Sequence, residues 1–429
     1  MTAAPRLGRD RADPLFVDAT APLDREALAE DLRVRVFPAA AQAGTAPRIG
    51  AEVELIPIDG ATRRPLPLDG AEPSTLAILR RAGATAGWRE RRSTKADVPE
   101  VAVPNGGRIT FEPGGQIELS PAPNVSLSDL VSDLRSTTDA IITAAPPGVE
   151  LVSVGIDPET PIDAVAPQLH AERYRRMLAY FDTVGPSGAR MMRQTASFQV
   201  CVDGGDEPVL TWRVLNALAP YVVAVFANSP RYAGQATGHR SYRREIWATL
   251  DPRRTGLLGV ADDIIEEYVD FALAAPAFLL GEPGRVAAPF KCWLDRGGVT
   301  AADWCAHLST LFPEVRPRSY FEVRSADVVP PAWYAVPLVF VGGIVYHRPS
   351  LEAAADLLDR PSRDLLACCG REGLGHPTIG RGAPLLCDLA LEGCTALGER
   401  FVSNGDLATA AEYFDRYTRR GLSLADDCL

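Results

Sequence analysis

The sequence has few lysines, no paired cysteine motif and no long apolar run. Lys95 and Lys291 are its lysines, so an anionic ligand would be bound mostly by arginine, whose guanidinium group binds oxyanions in bidentate fashion. The eight cysteines include no CxxC pair, which argues against a zinc site and favours free thiols in a cytoplasmic protein. The longest apolar stretches, such as VPLVFVGGIVY, are too short to span a membrane, and the N-terminus lacks the apolar run of a signal peptide. These absences predict a soluble, cytoplasmic protein without a membrane partner.

Two common kinds of nucleotide site are missing as well. The sequence contains no GxxxxGK[ST] loop, and no GxGxxG motif follows a predicted strand. The formal net charge of −11 argues against nucleic acid as a partner. A small-molecule ligand therefore fits the composition better, and any bound phosphate needs another kind of site.

Four segments alternate between apolar and polar residues with the period of a β-strand. They are RIGAEVELIPID (48–59), RITFEPGGQIELS (108–120), MMRQTASFQVCVDGG (191–205) and RSYFEVRSAD (318–327). Long helical patterns separate them, including VLTWRVLNALAPYVVAVFA, in which Pro220 is expected to kink or divide the helix. Alternating strands between helical excursions predict an α+β fold with a largely antiparallel sheet.

The polar faces of these strands are unusually acidic. Because side chains alternate between the two faces of a strand, each segment carries polar residues on one face and aliphatic residues on the other. The polar sets are Glu52 and Glu54; Gln116, Glu118 and Ser120; Thr195, Ser197, Gln199 and Asp203; and Tyr320, Glu322 and Arg324. A solvated face is the ordinary explanation for any one strand, but glutamate is depleted in strands. The repeated glutamates favour a site for Mg²⁺ or Mn²⁺, which select hard oxygen ligands.

An arginine-rich segment, GHRSYRREIWATLDPRRTGL (238–257), is the best candidate for binding an anion. Arg240, Arg243 and Arg244 lie close together in it, and Trp247 and Arg254 follow. A solvated, salt-bridged loop is the alternative explanation. Together with the acidic strand faces, the segment favours a site for a phosphorylated or carboxylate ligand.

Several long motifs carry a family resemblance. FEPGGQIELS, MMRQTASFQVCVD, FANSP, SYRREIWATLDPRRTG and HLSTLFPEVRPRSYFEVRSAD resemble the glutamate–cysteine ligases of the plant and proteobacterial type. The likeness is greatest to the actinobacterial branch that feeds ergothioneine synthesis. It implies a glutamine-synthetase-like fold, in which a curved antiparallel sheet forms a funnel-shaped active site surrounded by helices. It also implies ATP-dependent joining of the γ-carboxylate of L-glutamate to L-cysteine through γ-glutamyl phosphate.

The resemblance also implies roles for individual residues. Glu52, Glu54, Glu118 and Glu322 match the metal-binding positions, and Gln199, Arg324 and Arg254 are assigned to ATP. Arg243 is expected to hold the α-carboxylate of glutamate, with Trp247, Arg240 and Tyr320 around the substrate. Arg324, Arg243 and Glu322 are the predicted catalytic residues. Glu112 is interpreted as a supporting residue that orients the Pro-Gly-Gly turn.

The predicted organisation is a loose tail over residues 1–20, a catalytic domain over 21–348 and a helical part over 349–429 packed on the same domain. The expected cofactor is Mg²⁺ or Mn²⁺, with ATP as co-substrate, in a monomer or homodimer. Two alternatives stay open. One is a ligase of the same fold with a different amine acceptor, and the other is a non-catalytic descendant that binds a nucleotide or an amino acid.

Overall fold

The structure is a computed structural model that describes residues 23–40, 46–93, 96–281, 287–358 and 360–428. The predicted tail over residues 1–20 lies outside these ranges. The strands are β1 Ile49–Asp59, β2 Arg89–Arg91, β3 Glu100–Ala102, β4 Arg108–Phe111, β5 Ile117–Ser120, β6 Val149–Val152, β7 Ser197–Val202, β8 Arg231–Tyr232, β9 Gln235–Ala236, β10 Thr255–Gly256, β11 Phe312–Pro313, β12 Val315–Pro317 and β13 Phe321–Asp327.

Helices make up most of the remaining described structure. They are α1 Arg25–Asp31, α2 Thr75–Ala86, α3 Leu127–Ala144, α4 Glu172–Asp182, α5 Ser187–Gln194, α6 Pro208–Val225, α7 Tyr242–Ala248, α8 Ile264–Ala274, α9 Phe290–Arg296, α10 Ala301–Leu308, α11 Ala335–Tyr346, α12 Arg348–Leu357, α13 Arg363–Glu372, α14 Pro377–Leu397 and α15 Asn404–Arg416. The predicted α+β class is confirmed.

Nine strands form one antiparallel sheet with β1 near its centre. The strand order is β12-β13-β7-β1-β5-β4-β3-β2, and β6 pairs with the far end of β1. Each of the four segments predicted as strands contributes to this sheet, so the alternation in the sequence located its central part correctly. The long strand β1 pairs with β5 and β7 along its first half, where its two glutamates lie.

The apolar face of the sheet packs on helices. Val53 and Leu55 of β1, Phe198 of β7 and Val323 of β13 are buried in the main core. Helices α3, α6 and α11 contact these strands, and α14 and α15 pack on α11. Helical cover on one face leaves the other face of the sheet to its polar side chains.

Contrary to the expectation that the apolar stretches are too short, helix α6 is long and apolar enough to cross a membrane by length and composition, but 78% of it is buried inside the protein. It contacts β13 and α13, which accounts for its apolar composition. Pro220 lies within the helix, which continues from Pro208 to Val225 and is not divided there.

Candidate active site

Strand pairing places four of the predicted polar side chains next to one another. Glu54 of β1 lies opposite Glu118 of β5, and Glu52 lies opposite Gln199 of β7. Side chains directly opposite on neighbouring antiparallel strands are roughly 5 Å apart at Cβ, so these four residues form one patch. Glu52, Glu54 and Gln199 are buried, which separates this patch from an ordinary solvated sheet face.

Three carboxylates converge at one end of this patch. One oxygen each of Glu54, Glu112 and Glu118 lies within 4.8 Å of the other two. The hydroxyls of Thr110 and Ser120 donate to Glu118 Oε1 at 2.9 and 3.2 Å and hold that carboxylate in place. Carboxylate oxygens at this spacing are the donor set that a hard divalent cation prefers, and the residues present therefore fit one.

Glu112 belongs to this cluster, although from the sequence it was expected only to orient the Pro-Gly-Gly turn. The turn is fixed by its glycines: Gly115 has φ +89°, and a Cβ on Gly114 would lie 2.0 Å from the carbonyl oxygen of Arg193. Thr110 pairs directly with Glu118, and Glu112, two residues after Thr110, keeps the same side. Strand parity across the hairpin was thus a signal for Glu112.

Burial and mutual repulsion make these carboxylates hard to ionise. Burial is the main cause that raises the pKa of Glu52 to about 7 and that of Glu54 to about 6, and the charge of Glu118 raises both. The pKa of Glu112 is raised well above its usual range, first by burial and then by Glu118 and Glu54. The nearby arginines therefore do not compensate the negative charge of these carboxylates. A bound cation would do so and would favour their ionised form.

Gln199 connects the carboxylate cluster to an arginine-rich region of the same face. Its Nε2 donates to Glu54 Oε1 at 3.4 Å, and its Oε1 accepts from Arg324 Nη1 at 2.8 Å. Glu54 also accepts a 2.6 Å hydrogen bond from the backbone N–H of Ser197. A continuous set of hydrogen bonds therefore leads from the cluster to Arg324.

Glu322 stands apart from the cluster and is surrounded by arginines. Arg316 and Arg324 donate to Glu322 Oε2 at 2.8 and 2.7 Å, and Arg318 donates to Oε1 at 3.4 Å. Although burial opposes ionisation, these arginines lower the pKa of the Glu322 carboxyl to about 2. The predicted metal ligand Glu322 thus acts in this structure as the counterion of three guanidinium groups.

The two additional arginines had a signal in the sequence. In RPRSYFEVR the residues at even positions share one side of the β12–β13 hairpin, where Arg316 pairs directly with Glu322. Tyr320 is half-buried here, and burial raises its pKa, with Cys201, Glu322 and Glu52 adding to the shift. The structure therefore brings Tyr320 to the arginine side of the patch.

A β-bulge in β13 sets the position of the next residues. The pairing register with β7 shifts between Val323 and Ala326, so Arg324 and Ser325 lie in the bulge and the alternation of faces reverses after it. Asp327 is consequently buried beside Arg243, with 3.8 Å between Asp327 Oδ1 and Arg243 Nη1. Simple alternation along the sequence did not find Asp327, because a bulge leaves no clear mark in the pattern.

Asp327 anchors the loop that leads into α7. Its carboxylate accepts hydrogen bonds from the backbone N–H of Asn228 and from the hydroxyls of Ser229 and Ser241, at 2.9, 2.6 and 3.0 Å. Ser241 is also the N-cap of α7, since its hydroxyl accepts from the N–H of Arg244. This network fixes the start of the helix that carries Arg243 and Trp247.

Arg243 and Trp247 are one turn apart on α7 and line a small pocket beside Arg324. The guanidinium carbons of Arg243 and Arg324 lie 5.6 and 5.7 Å from the Trp247 ring centroid. Three buried donors here have no hydrogen-bond partner: Arg243 Nε, Arg244 Nη1 and Trp247 Nε1. Buried polar groups are rarely left unpaired, so these donors indicate a ligand with acceptor oxygens. The polar residues around the pocket are Arg243, Arg244, Trp247, Glu314, Arg324 and Ser325.

Two predicted ligand-binding arginines have partners within the protein. Arg254 is fully buried, donates to Asp251, Thr310 and the carbonyl of Pro276, and packs on the rings of Tyr180 and Phe278. Its contacts are those of a core residue. Arg240 instead forms an ion pair at 2.6 Å with Asp426 of the C-terminal segment and lines a separate surface depression with His239 and Arg371. Neighbourhood in the sequence did not distinguish these arginines from Arg243.

Comparisons with known proteins point to one family. The family model described as Glutamate-cysteine ligase family 2 (GCS2) matches residues 48–369. The glutamate–cysteine ligase EgtA of Mycolicibacterium smegmatis is 35% identical over 364 residues, which is 79% of this chain and 84% of the relative. A chloroplastic glutamate–cysteine ligase of Medicago truncatula is 34% identical over 270 residues, 58% of this chain and 52% of the plant protein.

A solved structure supports the fold. The glutamate–cysteine ligase of Francisella tularensis in complex with AMP superposes with a TM-score of 0.53 and 11% sequence identity, covering 91% of this chain and 85% of that one. Such low identity informs on the fold alone. Because the family model matches most of the chain and the Mycolicibacterium smegmatis relative aligns over most of both lengths, this chain belongs to glutamate–cysteine ligase family 2.

Proposed function

We propose that this chain is an ATP-dependent glutamate–cysteine ligase that forms γ-glutamylcysteine. The observation that carries the proposal is the junction of two sites on one sheet face. One is the carboxylate cluster suited to a metal–nucleotide, and the other is the pocket with unpaired donors suited to a carboxylate. Gln199 and Arg324 lie between them. A ligase that activates one substrate with the phosphate of another needs such adjacent sites.

The amino-acid substrate fits the pocket by charge and hydrogen bonding. The α-carboxylate of L-glutamate would accept from Arg243 Nε and Trp247 Nε1, the donors that lack partners in the protein. A side chain extending from there reaches toward Arg324, whose guanidinium carbon lies 5.7 Å from the Trp247 ring centroid. The γ-carboxylate would thus approach the arginine that faces the carboxylate cluster.

The metal and nucleotide belong at the carboxylate cluster. The three clustered carboxylates of Glu54, Glu112 and Glu118 would hold Mg²⁺ or Mn²⁺, with Glu52 beside them on β1 as a further predicted ligand. The chemistry of the bound ion would be to neutralise the phosphate oxygens of ATP. Glu322 would keep Arg316, Arg318 and Arg324 in place beside it, because it already holds all three guanidinium groups. The arginine side, with Gln199, would then bind the phosphates.

The proposed reaction consists of two displacement steps. A γ-carboxylate oxygen of glutamate attacks the γ-phosphorus of ATP, so that an acyl phosphate forms and ADP leaves. The amine of cysteine then attacks the acyl carbon, loses a proton and displaces phosphate. Attack of one anion on another is opposed by charge, so Arg324 would contribute by neutralising the phosphoryl oxygens as they meet the carboxylate.

A phosphate-release assay with Mg²⁺, ATP, L-glutamate and a panel of amines tests the proposal. Release with cysteine and detection of γ-glutamylcysteine are expected. Release with another amine alone would assign a different acceptor on the same scaffold. No release with any amine would leave a non-catalytic binding protein. Full activity in excess EDTA would contradict the metal requirement. The cytoplasmic location and the monomeric or dimeric state stay predictions.

A further inference from the structure

The substrate pocket contains an acidic side chain, Glu314, that has no part in the reaction described above. Glu314 lies between β11 and β12 and is 7% exposed. Among the described residues that line the pocket with Arg243 and Trp247, it is the one acidic group. A carboxylate in a pocket made for a carboxylate needs a cationic partner, since like charges this close would repel each other.

The backbone and half of the carboxylate of Glu314 are firmly held. Its N–H donates to the carbonyl of Gly256 at 3.0 Å, and its carbonyl accepts from the N–H of Arg324 at 2.9 Å. Its Oε2 accepts from the hydroxyl of Ser325 at 2.7 Å. The side chain is thereby oriented by the same bulge that positions Arg324.

The other carboxylate oxygen, Oε1, contacts Arg244. Glu314 Oε1 lies 3.2 Å from Arg244 Nη1, but the two form no hydrogen bond, because Arg244 Nη1 has no hydrogen-bond partner. Both side chains of this ion pair are 9% exposed. The pair therefore places a cationic donor without a hydrogen bond next to an anionic acceptor at the wall of the pocket.

An α-amino acid carries the complementary pair of charges on neighbouring atoms. Its α-carboxylate needs donors, which Arg243, Arg244 and Trp247 supply, and its α-ammonium group needs acceptors. Asp327 is a poor candidate for that role, because its oxygens already accept three hydrogen bonds from Asn228, Ser229 and Ser241. Glu314 has an oxygen available and faces the pocket.

We propose that Glu314 binds the α-ammonium group of the amino-acid substrate, with Arg244 completing the binding of the α-carboxylate. This inference rests on the proposed function and adds to it a basis for substrate choice. The pocket then distinguishes an α-amino acid from a dicarboxylate of the same length without the amine. Such discrimination is strong when a buried polar group would otherwise stay unpaired.

The test compares L-glutamate with glutarate, which has the same carbon chain and both carboxylates but no amine. Calorimetric titration of each compound, with Mg²⁺ and a non-hydrolysable ATP analogue present, gives the ratio of their dissociation constants. We expect Glu314→Gln to weaken L-glutamate binding roughly 10- to 100-fold, the range for a hydrogen bond between charged groups, and to leave glutarate binding nearly unchanged. Glu314→Asp keeps the charge and should retain part of the discrimination. Glu352→Gln, at an exposed salt bridge with Arg348, is the matched control.

The ratio separates ligand binding from a structural role. If Glu314 only supports Arg244, Glu314→Gln weakens both compounds equally and the ratio stays at its wild-type value, which would overturn the proposal. Thermal melting of each variant shows whether it is folded, and Glu314→Asp supplies the same comparison if the glutamine variant is not. Wild-type protein that binds neither compound and releases no phosphate would overturn the proposed function as well.

Discussion

Glutamates on one sheet face have opposite electrostatic environments at its two ends. Glu52, Glu54 and Glu112 lie among other carboxylates, and their pKa values are raised. Glu322, on the other side of Gln199, is held by three arginines, and its pKa is lowered to about 2. Glu52, Glu54 and Glu322 are all buried, so their neighbours and not burial determine the difference between their pKa values.

The comparison shows why residue type alone does not assign a role. Arginine charges only partly offset burial and repulsion at Glu52 and Glu54, which leaves these carboxylates able to take up a cation, whereas Glu322 is paired with three arginines and orients them. The proposed function therefore assigns the cation to one end of the face and the phosphates to the other. Variants at the two ends should fail in different ways.

The largest effect is expected from Glu54→Gln. Glu54 lies in the carboxylate cluster and also accepts hydrogen bonds from Ser197 and Gln199. Removing its charge should lower the rate of phosphate release roughly 10³-fold or more, because several kcal/mol of charge neutralisation are lost. Binding of Mn²⁺, followed by calorimetry, should weaken in parallel. Glu150→Gln, on the exposed salt bridge of β6 with Arg63, should retain both properties; a near-native rate in the Glu54 variant would refute its assignment.

Arg324→Ala should affect the other end of the face. The expected loss in rate is roughly 10²- to 10³-fold, as for removal of one preorganised donor to a developing charge. Because Arg324 contacts Gln199 and Glu322 and not the three clustered carboxylates, Mn²⁺ affinity should change little. If Arg324→Ala abolishes Mn²⁺ binding as completely as Glu54→Gln does, the two ends do not act separately. Arg348→Ala, at an exposed position, is the control.

Much of this arrangement could be predicted from the sequence where strand alternation is regular. The period of two put Glu52, Glu54, Glu118 and Gln199 on one face, and the structure brings them together. Alternation did not connect Glu112 with the other glutamates, because the turn at Pro113 interrupts the strand, although the parity continues across it.

Other parts of the site depend on contacts that alternation does not encode. The bulge at Arg324 and Ser325 reverses the faces and brings Asp327 beside Arg243. In the arginine-rich segment, only tertiary packing decides that Arg243 faces the pocket, Arg254 enters the core and Arg240 pairs with Asp426. The sequence indicated a group of arginines but not which of them meets the ligand.

Stability against pH distinguishes the two ends without any substrate. The pKa values of Glu52 and Glu54 are raised from 4.5 to about 7 and about 6. Between pH 4.5 and about 7 the folded state therefore binds more protons than the unfolded state. Metal-free protein should therefore lose stability as the pH rises from about 5 to 8, by on the order of a few kcal/mol. Mn²⁺ should restore it above pH 7, because the cation binds the folded, ionised cluster.

Thermal melting across this pH range, with EDTA or with Mn²⁺, provides the measurement. Glu54→Gln should flatten the metal-free profile, since one of the titrating groups is gone. Glu322 contributes in the opposite sense and at much lower pH, because its stabilisation is lost only as the pH falls toward 2. Metal-free stability that rises between pH 5 and 8 would contradict the unneutralised state of the cluster.

The smallest effect is expected from Arg240→Gln. This variant tests whether an arginine that lies outside the polar sheet face and pairs with Asp426 affects binding of L-glutamate. The ion pair with Asp426 is partly exposed, with 36% of the Arg240 side chain accessible, so its loss should cost at most about 1 kcal/mol of stability. The KM for L-glutamate should stay within about twofold of wild type, whereas Arg243→Gln should raise it by a factor of roughly ten or more. Parallel measurement of KM and melting temperature for both variants checks this. An Arg240 variant with the KM defect of the Arg243 variant would return Arg240 to the substrate site and show that the C-terminal segment, through Asp426, acts on the pocket.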